Sequence, residues 1–135
     1  MNAQQATLAR ICLEGAEADT MTFPEIVAAL IGGGFEGYSV DLRRARAAYY
    51  LPDGEAVEWP CHAEGGAVAA WFDAAALQAA IREAQTLAPG YSYKGFCAKA
   101  KAAGCAGYMV SCSGRRALYF GRTAETHLEL FPPAA

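Results

Sequence analysis

Glu125, His127 and Glu129 alternate near the end of the chain, in a stretch that reads as a β-strand, so all three side chains project to one face. Two carboxylates flanking an imidazole could bind a divalent metal, or hold the histidine in the tautomer a general base needs. A small hydrolase or metal-dependent enzyme would use His127 with Glu125 and Glu129 in that way. The same alternation on a terminal strand equally describes a solvated face. Cys61-His62 is the other reactive pair, since a thiol beside an imidazole could be an activated nucleophile or half a metal site. Neighbours in an extended segment point opposite ways, so adjacency alone makes no dyad. Only His127 could then complete a Cys/His arrangement across the fold, and a loop cysteine beside an unrelated exposed histidine fits as well.

Arg46 and Arg116 form a third candidate site. They occupy equivalent places in an internal match, and two guanidinium forks could clamp a carboxylate or phosphate between the halves. Asp41 belongs with them as the cross-strand neighbour of Arg46. Purely structural pairs, Arg46 on Asp41 and Arg116 on Ser111 or Glu125, would look the same in sequence. Gly32-Gly33-Gly34 is a helix stop and not a phosphate loop, because no strand-to-helix transition follows it. No cofactor is implied.

The elements that must position these residues occur twice. Thr22 to Tyr50 matches Ser92 to Phe120 seventy positions later without a gap, and Gly34, Gly37, Tyr38, Val40, Arg46, Ala47 and Tyr49 find identical partners. Two copies of so long a unit point to a duplication inside one domain, with repeats over 1–60 and 71–132, and not to a solenoid. Each copy reads as a helix followed by a hairpin. Thr22 to Glu25 is a capping box, stapled by Met21 and Ile26, and Ser92 with Tyr91 and Phe96 keeps half of that logic. Asp73 caps a preceding helix through Leu77 and Ile81, while Gln4 to Glu14 forms its counterpart.

Two-residue loops at Arg43-Arg44 and Ser113-Gly114 set the strand register. Tyr38 then lies opposite Tyr49, Val40 opposite Ala47, Tyr108 opposite Tyr119 and Val110 opposite Ala117, on the face assigned to the core. Met109, Leu118 and Phe120 share the other face, which should be covered by the other half or by a second subunit. Glu55 to Trp59 and Glu125 to Phe131 add a third strand to each half. Pro60 to Ala70 is the linker-like stretch, and Pro132-Pro133 closes the fold.

At 135 residues the chain is one domain able to bury about two-thirds of its unfolded surface. A net charge of −3 and pI near 5.3 exclude general nucleic-acid binding. The first residues lack a basic segment followed by an apolar one, and no apolar run is long enough for a membrane span. Five cysteines without a C-x-x-C pair fit reduced thiols in a cytoplasmic protein.

Tyr-Leu-Pro-Asp-Gly at 50–54, Ala-Gly-Cys-Ala-Gly-Tyr at 103–108 and Tyr-Phe-Gly-Arg-Thr at 119–123 resemble a bacterial family known as domain of unknown function number 1398. Some of its members carry the label "phage envelope protein". The resemblance spans Thr22 to Pro132 and implies a small bacterial domain of unassigned activity, with no catalytic residues to carry over. The expectation is therefore an α+β domain with pseudo-two-fold symmetry, each half a helix pair followed by antiparallel strands. Functionally the expectation is a non-catalytic module that binds a small anionic ligand or a protein partner, a second copy of itself included. The small enzyme built on His127 is the alternative. A pocket joining Cys61 or His62 to His127 would favour the enzyme, and a shallow apolar outer face the module.

Overall fold

Each helix begins on a short polar side chain that accepts one of the N–H groups left open at a helix start. Asn2 and Gln5 form a capping box ahead of α1 (Ala3–Glu17), and Thr22 and Glu25 form another ahead of α2 (Phe23–Gly32). Asp73 caps α3 (Ala74–Thr86) through the Ala76 N–H, and Ser92 caps α4 (Tyr93–Ala102) through the Gly95 N–H. Such caps contribute roughly 1 kcal/mol each. After α2 and α4 the chain reverses at Gly34 and Gly104, with φ of 88° and 86°. These left-handed values strain any residue with a Cβ.

Three strands follow each helix pair: β1 (Gly37–Asp41), β2 (Arg46–Tyr50) and β3 (Ala56–Pro60), then β4 (Cys105–Ser111), β5 (Arg116–Gly121) and β6 (Thr126–Leu130). This computed structural model describes residues 1–62 and 66–131. Over them the chain is one α+β domain, its six strands ordered β3-β2-β1-β4-β5-β6 with every neighbour antiparallel. Helix α4 starts and stops seventy positions after α2, and β6 seventy after β3. The seam between the halves has a symmetric register, with Gly37 facing Ser111 and Asp41 facing Gly107. Gly65 of the linker-like stretch and the Pro132-Pro133 close lie outside the described residues.

The expected register holds in both hairpins: Tyr38 faces Tyr49, Val40 faces Ala47, Tyr108 faces Tyr119 and Val110 faces Ala117. The loops are longer than two residues. In the first, the Asp41 carboxylate accepts the Arg43 and Arg44 N–H groups at 2.9 Å each. In the second, the Ser111 hydroxyl accepts the Gly114 N–H at 2.8 Å. These side-chain bonds take over from the ladder, and the loops close at Ala45 and Arg115 with φ of 55° and 51°.

The helices cover one face of the sheet. Leu30, Leu77 and Cys12 are fully buried there with Tyr38, Tyr49 and Val110, and each large apolar side chain contributes about 1.5–3 kcal/mol. The opposite face is open. Met109 and Leu128 are 49% and 47% exposed, so the other half of the chain does not cover this face. All five cysteines are free thiols, and among the described residues no helix is long and apolar enough to cross a membrane.

Candidate functional site

A cavity of about 580 Å³ lies between the sheet and the helices. Its floor is the inner face of the central strands. Tyr38 stacks on Tyr49 with ring centroids 5.3 Å apart, Tyr108 lies 5.2 Å from Tyr119, and Tyr38 meets Tyr108 edge-on. Cross-strand pairing places one tyrosine over the next, and aromatic pairs in such arrangements gain beyond their buried area. The repeat identities Tyr38/Tyr108 and Tyr49/Tyr119 are thus the floor of a cavity as well as part of the core.

The walls come from α1, α3 and the starts of α2 and α4, and the connections between paired helices form the rim. Asp19, with φ of 57°, sits in the first connection and accepts the Tyr93 N–H at 2.8 Å. That bond ties one half's connection to the start of the other half's helix. Tyr93 and Tyr108 share a hydroxyl–hydroxyl hydrogen bond of 2.6 Å at the cavity wall. Burial drives both phenols well above their ordinary pKa and pushes Tyr91 up to about 12, so the wall offers neutral hydroxyls at physiological pH.

Strand β6 brings the one surprise in polarity. His127 is opposite Tyr119 and Glu129 opposite Ala117, so both face the helices, while Leu128 and Leu130 face solvent. On the matching edge strand β3 the pattern is ordinary, with Val57 and Trp59 inward and Glu58 outward. The solvated-face expectation for His127 and Glu129 is corrected by this register, which the β5–β6 ladder fixes. Glu129 lines the cavity and its side chain is 20% exposed. Gln85 and Gln78 donate to its Oε1 at 3.1 and 3.4 Å, and His127 Nε2 lies 3.1 Å from its Oε2. Burial first, and then neighbours that include Glu129, hold the Tyr119 phenol above its usual range.

The other candidates lie elsewhere. Glu125 sits in the turn before β6, hydrogen-bonded to the Thr123 hydroxyl, and no group of three metal-ligating side chains is present among the described residues. Cys61 and His62 follow β3, at the opposite edge of the sheet from β6. Five strand spacings separate those edges, about 24 Å, and none of Cys61, His62 and His127 is among the described residues that line the cavity. The His62 ring instead contacts Glu17, Nδ1 to Oε2, at 2.8 Å. Burial, then Glu17 and Asp41, push the Cys61 thiol up to about 11. It is not an activated nucleophile at neutral pH.

The two arginines do not converge either. Arg46 shares a cross-sheet row with Asp41, Gly107 and Phe120, whereas Arg116 shares one with Ser111, Gly37 and Tyr50. The symmetric seam thus puts them diagonally apart, about 20 Å by strand spacing and rise, and they cannot clamp one anion. Arg46 Nε donates to Glu58, and Arg116 Nε donates to the Gly114 carbonyl at 3.0 Å. Asp41 is occupied by its own turn.

No family model matches the chain, and no curated protein is significantly similar to it. Gln78 and Gln85, which hold Glu129, carried no sequence signal of their own. Glu129 did carry one, because the seventy-residue offset sets it against Trp59 and His127 against Val57.

Proposed function

We propose that this protein is a non-catalytic binding module that holds a small, mainly apolar molecule between its sheet and its helices. The observation that carries this reading is the tyrosine-floored cavity of about 580 Å³, a volume within the range that encloses drug-sized ligands. Four packed tyrosine rings and the apolar residues of the walls line it, and the Tyr93 and Tyr108 hydroxyls, with Glu129, give it polar points that can fix orientation. The enzyme alternative has less support. His127 and Glu129 do pair, but Glu125 is turned to Thr123, and the Cys61 thiol is distant and raised by burial, which disfavours its thiolate.

The test is titration with the neutral dye N-phenyl-1-naphthylamine, whose emission rises in apolar surroundings. Ala84 lines the cavity from α3, and Ala84→Trp, which adds a bulky indole to that wall, should narrow the space and weaken dye binding several-fold while the protein still melts cooperatively. Dye binding that survives Ala84→Trp at full affinity would place the dye elsewhere and remove the basis of the reading.

A second contact is supported by the outer sheet face. Met109, Leu118 and Leu128 stand side by side in one row across β4, β5 and β6, open to solvent or partly so. A second copy of the chain is the cover we propose, since exposed apolar neighbours of this kind favour association.

A further inference from the structure

The charge of the cavity is one-sided, and this narrows the ligand. Among the described residues that line it, Asp19 and Glu129 are the carboxylates, and no lysine, arginine or histidine lines it. Asp19 already accepts the Tyr93 N–H from the start of α4. Glu129 is different. Gln78 and Gln85 approach one oxygen and His127 the other, which fixes the carboxylate while leaving acceptor capacity, since an ionised carboxylate has about four lone-pair sites. Its position is also the inward side of an edge strand that carries Trp59 at the matching place in the other half. An apolar residue would satisfy packing there, so packing does not account for the acid.

The floor points the same way. A phenol ring presents a negative π face, and a cation over such a face is attracted by up to a few kilocalories when water is excluded. Tyr38, Tyr49, Tyr108 and Tyr119 are each less than a tenth exposed, and all four line the cavity. A small anion would meet two carboxylates, with no cationic side chain among the described lining residues to receive it.

We propose that the ligand is an organic monocation, an ammonium group on an aromatic or aliphatic body, with the charge set against Glu129 and the body on the tyrosine floor. This rests on the binding-module reading and replaces the anionic ligand expected from Arg46 and Arg116, which the sheet holds apart.

The test uses three probes that share a naphthylmethyl body: the primary ammonium cation, the neutral alcohol and the sulfonate anion. Each displaces N-phenyl-1-naphthylamine from the wild-type protein. The cation should bind about tenfold or more tightly than the alcohol, with the sulfonate weakest, as expected for one charge-assisted contact joined to cation–π attraction. Glu129→Gln should collapse the cation-to-alcohol ratio towards one, and Glu129→Asp, which keeps the charge, should retain part of it. Equal binding of cation and alcohol by the wild-type protein overturns the inference while leaving the module intact. A ratio unchanged in Glu129→Gln overturns the role of Glu129. Absence of any dye binding to the wild-type protein overturns both. The ranking is measured first on the unaltered chain, so a poorly folding variant cannot protect the idea.

Discussion

Gly37 and Gly107 face each other's strands across the seam that joins the halves, and replacing Gly37 tests whether that seam is as close as the geometry requires. A Cβ built on Gly37 would sit 2.2 Å from the Val110 carbonyl oxygen and 3.3 Å from its carbon. Both are backbone atoms of β4, so no side-chain rotation can relieve the contact, and β1 must move away from β4. Forced overpacking of this kind costs about 1–3 kcal/mol, and the upper half of that range applies where backbone must shift. For a domain of this size 1 kcal/mol moves the melting temperature by about 3–5 °C, so Gly37→Ala should melt roughly 6–15 °C below wild type by scanning calorimetry. Tyr38 and Tyr108 flank the seam in the cavity floor, so dye affinity should fall with it. Gly32 supplies the control. It ends α2 with nothing within 4 Å of its built Cβ, and Gly32→Ala should be neutral or more stable by up to about 1 kcal/mol. A Gly37→Ala protein that melts within 2 °C or so of wild type, or as high as Gly32→Ala, would refute the close-seam argument.

Cys61 should alkylate slowly: with its thiol raised from 9.0 to about 11, iodoacetamide at pH 8 should react about a hundredfold more slowly than with an ordinary cysteine, and a rate profile centred below pH 9 would contradict this. The buried thiols also set an alkaline limit. Cys97 and Cys105 rise to about 12 and 11 in the fold, so the unfolded chain gives up these protons first, and stability should decline as pH rises from about 9 towards 12; a flat melting temperature over that window would refute it. On the outer face, Leu128→Glu should lower the mass seen by sedimentation equilibrium from dimer to monomer, and a wild-type chain monomeric at high concentration would exclude the second copy. Finally, His127→Val with Glu129→Leu, which restores an apolar inner face to β6, should melt within a few degrees of wild type while losing the cation preference, because the apolar burial gained offsets the acceptor that Gln78 and Gln85 lose. A marked loss of stability would show that the pair serves the fold.

Much of the frame was legible because local chemistry and the seventy-residue sequence match pointed to the same elements. Thr22 and Glu25 announce a helix start whatever surrounds them, and the spacing of Tyr38 to Tyr49 sets their pairing once the hairpin centre is known. The loops exceed two residues because Asp41 and Ser111 are not passive strand ends: their side chains capture backbone N–H groups and widen the turn. What could not be read was how the halves join. A repeat places Arg46 and Arg116 at equivalent positions but says nothing about the direction of the axis that relates them. Only the β1–β4 pairing decides that the two lie on a diagonal. The cavity was hidden for a similar reason, since an aromatic in a core and an aromatic on a cavity wall have the same periodicity.

Strand β6 is where local pattern and tertiary register disagree, and the disagreement has a physical direction. Read alone, Thr126-His127-Leu128-Glu129-Leu130 should bury its leucines and expose its histidine and glutamate, as β3 buries Val57 and Trp59 and exposes Glu58. A slip of one residue would deliver that outcome. The slip does not occur, and Leu130 is left 58% exposed while Glu129 is drawn under the helices. Turning a carboxylate inward costs solvation, which here is only partly offset by two glutamine amides and an imidazole. Turning two leucines outward forgoes apolar burial as well. Natural chains tolerate such local conflict mainly where a site needs it. The acid beside the tyrosine floor, and the Leu128 that extends the outer row begun by Met109 and Leu118, are two results of one inverted strand, so the proposed ligand and the proposed second copy both trace to the same register.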